Sequence, residues 1–200
     1  MKRSLICIFV VSIAGCASNP WSARNLQDEF TDQHSCRVVY GSEFQKGFVK
    51  GMGGIHYYPF VEKDNNGVIF GIHNDYNIPV GNVQIRIDGN RFIEILSSET
   101  PLKYSSKTLK VDLSYIKNTE GLDAKALQNS MDETMKNVQR MSSPYTATTG
   151  EKAEEIIGQL RKGKVLKMRI MGFGVNSAAS TTGEYNLGAG FNEALSECGI

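Results

Sequence analysis

Asn82-Val83-Gln84-Ile85-Arg86-Ile87-Asp88-Gly89-Asn90-Arg91-Phe92-Ile93-Glu94-Ile95 has the residue pattern of a β-hairpin. Val83, Ile85 and Ile87 alternate with Gln84, Arg86 and Asp88, the period-two pattern of a strand with one buried face. Asp88-Gly89-Asn90 supplies the turn, and Phe92, Ile93 and Ile95 resume the apolar positions. Working outward, Asp64-Asn65-Asn66-Gly67 is a turn signal before the apolar run Val68 to Ile72. Cys36 to Tyr40 reads as an earlier strand. Leu109, Val111 and Leu113, and later Leu166, Met168 and Ile170, alternate in the same way.

Between these strands the period changes. Leu127, Met131, Met135 and Val138 fall at helical spacing, with Met141 one turn on, and Asp123 stands where a cap belongs. This predicts a helix near 122–141 whose methionine stripe packs on the core, a partner-binding groove being the alternative. Ser142-Ser143-Pro144 breaks the chain. Ala153, Ile156, Ile157 and Leu160 then share one helix face over 151–162. Glu151, Glu154 and Glu155 stand early, Arg161 and Lys162 late, and Gly163 follows, an order that suits the helix dipole and a C-cap. Gly172 to Gly183 is small and polar, the composition of a loop. Phe191, Ala194, Leu195 and Cys198 predict a short final helix.

The chain has 200 residues, 40% hydrophobic and 22% charged, a composition that suits one soluble domain and excludes a polytopic membrane protein. Its net charge of +1 gives no electrostatic ground for nucleic-acid binding.

The N-terminus carries a different signal. Lys2 and Arg3 precede Leu5 to Ile13, apolar except for Ser12. As a helix this run reaches only about 14 Å, too short to span a membrane, so it reads as a secretory signal segment. It ends in Ile13-Ala14-Gly15-Cys16, which resembles the lipobox of bacterial lipoproteins, with Ile13 where that pattern usually has Leu. The resemblance implies a signal peptide over 1–15 and diacylglycerol on the Cys16 thiol, with a plain signal peptide as the alternative. It also implies a stable anchor, since lipoproteins carry several acyl chains. Ala17 and Ser18, with no Asp after the cysteine, imply sorting to the outer membrane, facing the periplasm.

Cys7 would leave with the signal peptide and Cys16 would be acylated, so Cys36 and Cys198 remain. Two thiols in an exported domain predict a disulfide, with two buried free thiols as the alternative. Such a bond requires the two ends of the domain to be neighbours.

Residues 16–30 read as a lipidated tether, polar and weakly periodic, with Trp21 either at the membrane interface or packed on the domain. The single domain is then expected over 31–200. After the first strand comes a glycine-dense stretch that matches neither phosphate-binding loop pattern. It reads as an irregular loop. Phe44, Phe48 and Met52 recur in it every four residues, which makes a partner-binding or membrane-facing loop the other reading.

In the last third, Leu160-Arg161-Lys162-Gly163, the strand Val165 to Met171 and Gly190-Phe191-Asn192-Glu193-Ala194-Leu195 resemble periplasmic domains of the invasion-associated locus B type. The hairpin Asn82 to Ile95 fits the same pattern. The resemblance implies a β-rich domain of no known catalytic role. The expected fold class is therefore α+β, a mainly antiparallel, sandwich-like β-sheet with two or three packed helices.

Motifs for chemistry are sparse. His34, His56 and His73 lie at no metal-binding spacing. His73-Asn74-Asp75 could contribute to a site only if the fold brought other residues to it. Ser114-Tyr115-Ile116-Lys117 matches SxxK without its companion motifs, and GxSxG is absent. No catalytic residue, metal or cofactor is expected. The leading expectation is a membrane-anchored, non-enzymatic binding or assembly module with an envelope protein as possible partner. A lipid-anchored hydrolase of a cell-wall or host polymer, and an inhibitor or exclusion lipoprotein, are the alternatives. A polar cleft holding His73, Asp75 or His56 would favour the hydrolase.

Overall fold

The computed structural model describes residues 19–30, 33–41, 56–74, 76, 78–105, 123–172 and 182–200. Cys16, the glycine-dense stretch with Phe44, Phe48 and Met52, the strand expected at 109–113, the SxxK match and Asp75 lie outside them.

The hairpin forms where the alternation puts it. Strand β5 (Asn82–Ile87) pairs antiparallel with β6 (Ile93–Ile95), Val83 opposite Ile95 and Ile85 opposite Ile93. Asp88, at the turn, has a φ of 49°, in the left-handed region that Asp tolerates better than most residues. Its carboxylate accepts hydrogen bonds from the backbone N–H of Lys164 at 3.1 Å and of Val165 at 2.9 Å. The turn thereby fixes the start of β8 (Val165–Gly172), the other neighbour of β5. Across that pair Val83, Ile85 and Ile87 face Ile170, Met168 and Leu166, and all six are buried. Strand β9 (Thr182–Asn186) completes a four-stranded antiparallel sheet in the order β6-β5-β8-β9. It takes up the end of the stretch that composition marked as loop.

The other sheet has five antiparallel strands, β1 (Trp21–Asp28), β2 (Gln33–Tyr40), β3 (Tyr57–Asp64), β4 (Gly67–Asn74) and β7 (Tyr145–Thr149), adjacent in that order. Strand β1 corrects the expected tether over 16–30 and the domain start at 31. Residues 21–28 pair along their whole length with β2, from Trp21 opposite Tyr40 to Asp28 opposite Gln33. An edge strand has one unpaired margin in solvent and tolerates polar residues. That is why Ser22, Arg24, Asn25 and Gln27 obscured it. Trp21 packs on the domain at 3% exposure, edge-on to Tyr40 and Phe191, its indole N–H donating to the Asn186 carbonyl at 2.7 Å.

The helices are α1 (Ala124–Met141), α2 (Gly150–Lys162) and α3 (Gly188–Glu197). Asp123 caps α1, accepting from the N–H groups of Lys125 and Ala126. Helices α2 and α3 bring Ala153, Ile156, Leu160, Phe191, Ala194 and Leu195 into one core with Val38, Val61, Phe70 and Ile72 of the five-stranded sheet and the six facing residues of the four-stranded one. Two antiparallel sheets and packed helices thus give the expected sandwich-like α+β fold. The methionine stripe of α1 does not join that core. The helix packs on two single 3-10 turns, Ser97–Glu99 and Leu102–Tyr104, and leaves Val138 50% and Met141 44% exposed. Helical periodicity marks an apolar face but does not say what covers it.

Cys36 on β2 and Cys198 at the end of α3 form the disulfide, with Cα atoms 5.3 Å apart across 162 residues of chain. The Lys63 ammonium donates to the Gly199 carbonyl beside it. Reducing this bond in the purified protein should lower stability by about 2–4 kcal/mol, read as a fall in calorimetric thermal midpoint. An unchanged midpoint would mean that the bond adds nothing to the packing of α3 on β1 and β2.

Gly71 sets a second constraint. It lies between Phe60 and Ala147 in register, and a Cβ there would stand 2.6 Å from the Phe60 ring and 2.8 Å from the Ala147 methyl. Gly71→Ala should therefore destabilise the protein by about 1–3 kcal/mol, measured by urea unfolding. A variant as stable as the parent would show that the Phe60 ring moves aside without cost.

Candidate functional site

Strand alternation gives the five-stranded sheet two unlike faces. On β2 and β3, Val38 and Val61 point into the core, while Arg37, Val39, Phe60 and Glu62 point the other way. Register places Arg37 opposite Glu62. The Arg37 guanidinium pairs with the Glu62 carboxylate, its Nε donating at 2.6 Å. Lys103, on the second 3-10 turn, donates to Glu62 at 2.6 Å and to Asp64 at 2.7 Å. Charge thus alternates along Arg37, Glu62, Lys103 and Asp64.

Aromatic rings surround this chain of charges. Tyr58, His73 and Tyr145 are cross-strand partners on β3, β4 and β7 and form a row, with ring centres 5.6 and 5.5 Å apart. Tyr104 stacks on Tyr145 at 5.0 Å and extends the row. The Arg37 guanidinium carbon stands 4.8 Å from the Phe60 ring centre and 5.6 Å from that of Tyr104. A cation held among ring faces out of water gains more from them than an exposed one does.

The ionisation states follow from these neighbours. Burial by itself would raise the Glu62 pKa, but Arg37 and Lys103 outweigh it and hold the carboxyl below its ordinary range. Asp64 is also lowered: Lys103 and the N–H of Asn66 outweigh its smaller desolvation. Burial, with the Glu62 charge beside it, pushes the Tyr104 phenol far above its usual value. Burial works against the Arg37 charge, but Glu62 more than restores it. Arg37, Glu62 and Asp64 are thus held in their charged forms and Tyr104 in its neutral form near neutral pH.

Beside this cluster opens a cleft of about 680 Å³, bounded by the adjoining ends of β1 and β2, the β3–β4 turn and the Leu102–Tyr104 turn. Arg37, Glu62, Lys103 and Tyr104 line its base, and Gln27, Gln33, His34, Asn65 and Asn66 its exposed rim. The Ser105 hydroxyl is buried without a hydrogen-bond partner among the described residues, and the buried Tyr104 hydroxyl lies against Glu62 and Arg37. His34 is the one histidine of the three that lines the cleft. His73 is buried within the aromatic row, its Nδ1 3.1 Å from the Asn74 carbonyl, and His56 stands exposed beside Tyr58. Cys36 points to the opposite face of β2 from Arg37. Sequence reading missed Arg37, Glu62, Lys103, Tyr104 and Tyr145. The available signal was the single charge set among apolar strand residues in Cys36-Arg37-Val38-Val39; Glu62 opens the charged run Glu62-Lys63-Asp64 and gave none.

Arg37→Met leaves Glu62 with one cation and should cost about 3 kcal/mol in chemical denaturation. Adding Glu62→Leu should recover much of that loss, because a buried pair replaced whole leaves no uncompensated charge. No recovery would show that Glu62 serves chiefly Lys103. Carboxyls with lowered folded-state pKa values stabilise above their ordinary values, 4.5 for Glu62 and 3.8 for Asp64, and lose that contribution as pH falls below them. The thermal midpoint should therefore drop as pH falls from about 5 towards 2, less steeply in Glu62→Gln. Equal slopes for parent and variant would exclude Glu62 from the acid response.

No protein family, no curated protein and no solved structure matched this chain, so the cleft is interpreted from its own geometry.

Proposed function

We propose that the chain is a non-enzymatic binding module of the cell envelope, anchored through an acylated Cys16 and binding its ligand in the cleft beside Arg37, Glu62 and Lys103. The observation that carries this reading is the state of the cleft's charges. They are mutually paired, and Arg37, Glu62 and Asp64 are held in their charged forms near neutral pH, which suits recognition better than acid–base turnover. The hydrolase reading loses its main support because His73 and His56 stand outside the cleft. The Cys36–Cys198 bond is in keeping with an oxidising compartment such as the periplasm.

The placement of β1 adds a geometric argument. Trp21 lies five residue steps from Cys16, and fully extended these reach no more than about 18 Å. An acylated Cys16 would hold the domain against the membrane surface. The cleft opens at the far end of β1, about 20 Å along the strand, so a partner could reach it from the periplasm.

In cells fed radiolabelled palmitate, the wild-type protein should carry label and fractionate with the outer membrane. Cys16→Ala should carry none and accumulate as an uncleaved or soluble form. Label retained by the variant would refute the anchor. A photo-crosslinking residue at Gln33 should capture an envelope component in intact cells, and the same residue at Glu154 should not. Equal capture at both positions would refute the cleft as the binding surface.

A further inference from the structure

We infer that the cleft takes a neutral, hydroxyl-rich saccharide; this rests on the reading of the cleft as a binding site. Three observations select that class. First, the charges at its base cancel. Arg37 and Lys103 are matched by Glu62 and Asp64, each within a hydrogen-bonded pair. A charged ligand would therefore meet no net field of opposite sign and would have to break pairs already formed.

Second, the rim is made of groups that donate and accept alike. Gln27, Gln33, Asn65 and Asn66 are exposed, and no described residue takes up their side chains. Ser35 lies in the same lining. Each amide or hydroxyl can serve a sugar hydroxyl in either sense. Lys103 spends two of its three N–H donors, on Glu62 and Asp64, and keeps one for a ligand oxygen.

Third, the described lining residues form no apolar hole for a peptide side chain. Protein ligands anchor through aromatic or aliphatic groups in such pockets. Among the described lining residues the apolar surface consists of Leu26, Pro144 and tyrosine edges. The faces of Tyr145 are covered by Tyr104 and His73, so hydrogen bonding rather than ring stacking would hold the sugar. A volume of about 680 Å³ lies within the range of small-molecule sites and suits a short oligosaccharide.

The test uses the full chain in a detergent without a sugar headgroup. Wild type, Lys103→Met and the rim double variant Gln27→Ala/Gln33→Ala are titrated by calorimetry and saturation-transfer NMR. The probes are maltohexaose, cellohexaose and N-acetylchitohexaose, beside hexaglutamate, hexalysine and an uncharged Gly-Ser-Asn hexapeptide. At least one neutral sugar should bind wild type, and each variant should weaken it about tenfold. The rim variant lies outside the ion-pair cluster, so its loss cannot be ascribed to unfolding. No binding of any neutral sugar, or binding unchanged in both variants, would overturn the inference. If only a peptide binds, and does so in the cleft, the saccharide class fails while the binding-module reading stands. Reducing ends released from a bound sugar by wild type alone would sustain the saccharide class and overturn the non-enzymatic reading.

Discussion

The register of β2 is the constraint from which the two faces of the large sheet follow. Its alternation sends Cys36 and Val38 to one side and Arg37 and Val39 to the other. A slip of one residue would drive a guanidinium into the shared core and leave Val38 facing Glu62. Three unlike interactions oppose that slip: the bond from Cys36 to Cys198, the pairing of Arg37 with Glu62 and the packing of Val38 beside Val61. Two of them come from β3 on opposite faces and the third from the end of α3, so the register is fixed from both faces and from the terminal helix.

The charged face carries an energetic burden that the apolar face does not. Burying Arg37 and Glu62 removes two ions from water, and their attraction repays that only when the remaining hydrogen-bonding capacity is used. Here Lys103 takes the second Glu62 oxygen, and the rings of Phe60, Tyr104 and Tyr145 lie within reach of the guanidinium. A well-packed apolar cluster of similar volume would serve stability at least as well.

The local features of the fold were legible, and the non-local ones were not. The Val83–Ile95 hairpin, the cap at Asp123 and the face of α2 each depend on residues within a few positions of one another. The disulfide was legible by elimination, since Cys36 and Cys198 were the two thiols left once the N-terminal cysteines were set aside. Strand β1 was hidden because its order comes from pairing with β2 rather than from its own polar residues. The cleft was hidden for the same reason: Arg37 meets Glu62 only through strand register, and Lys103 reaches both carboxylates from a single 3-10 turn. The α1 stripe shows the converse, a clear local pattern whose partner could not be read from sequence.

Strand β1 also determines how the domain would bear a pull. An anchor at Cys16 would load β1 at its Trp21 end, and a ligand held in the cleft would load the sheet near Gln27 and Gln33, at the other end of the same strand. The two forces then run along the strand axis in opposite directions. In that geometry the β1–β2 ladder is sheared rather than peeled, and its hydrogen bonds from Trp21–Tyr40 to Asp28–Gln33 share the load instead of parting one at a time. A domain held by its first strand would thus resist tension best along the line between membrane and bound polymer.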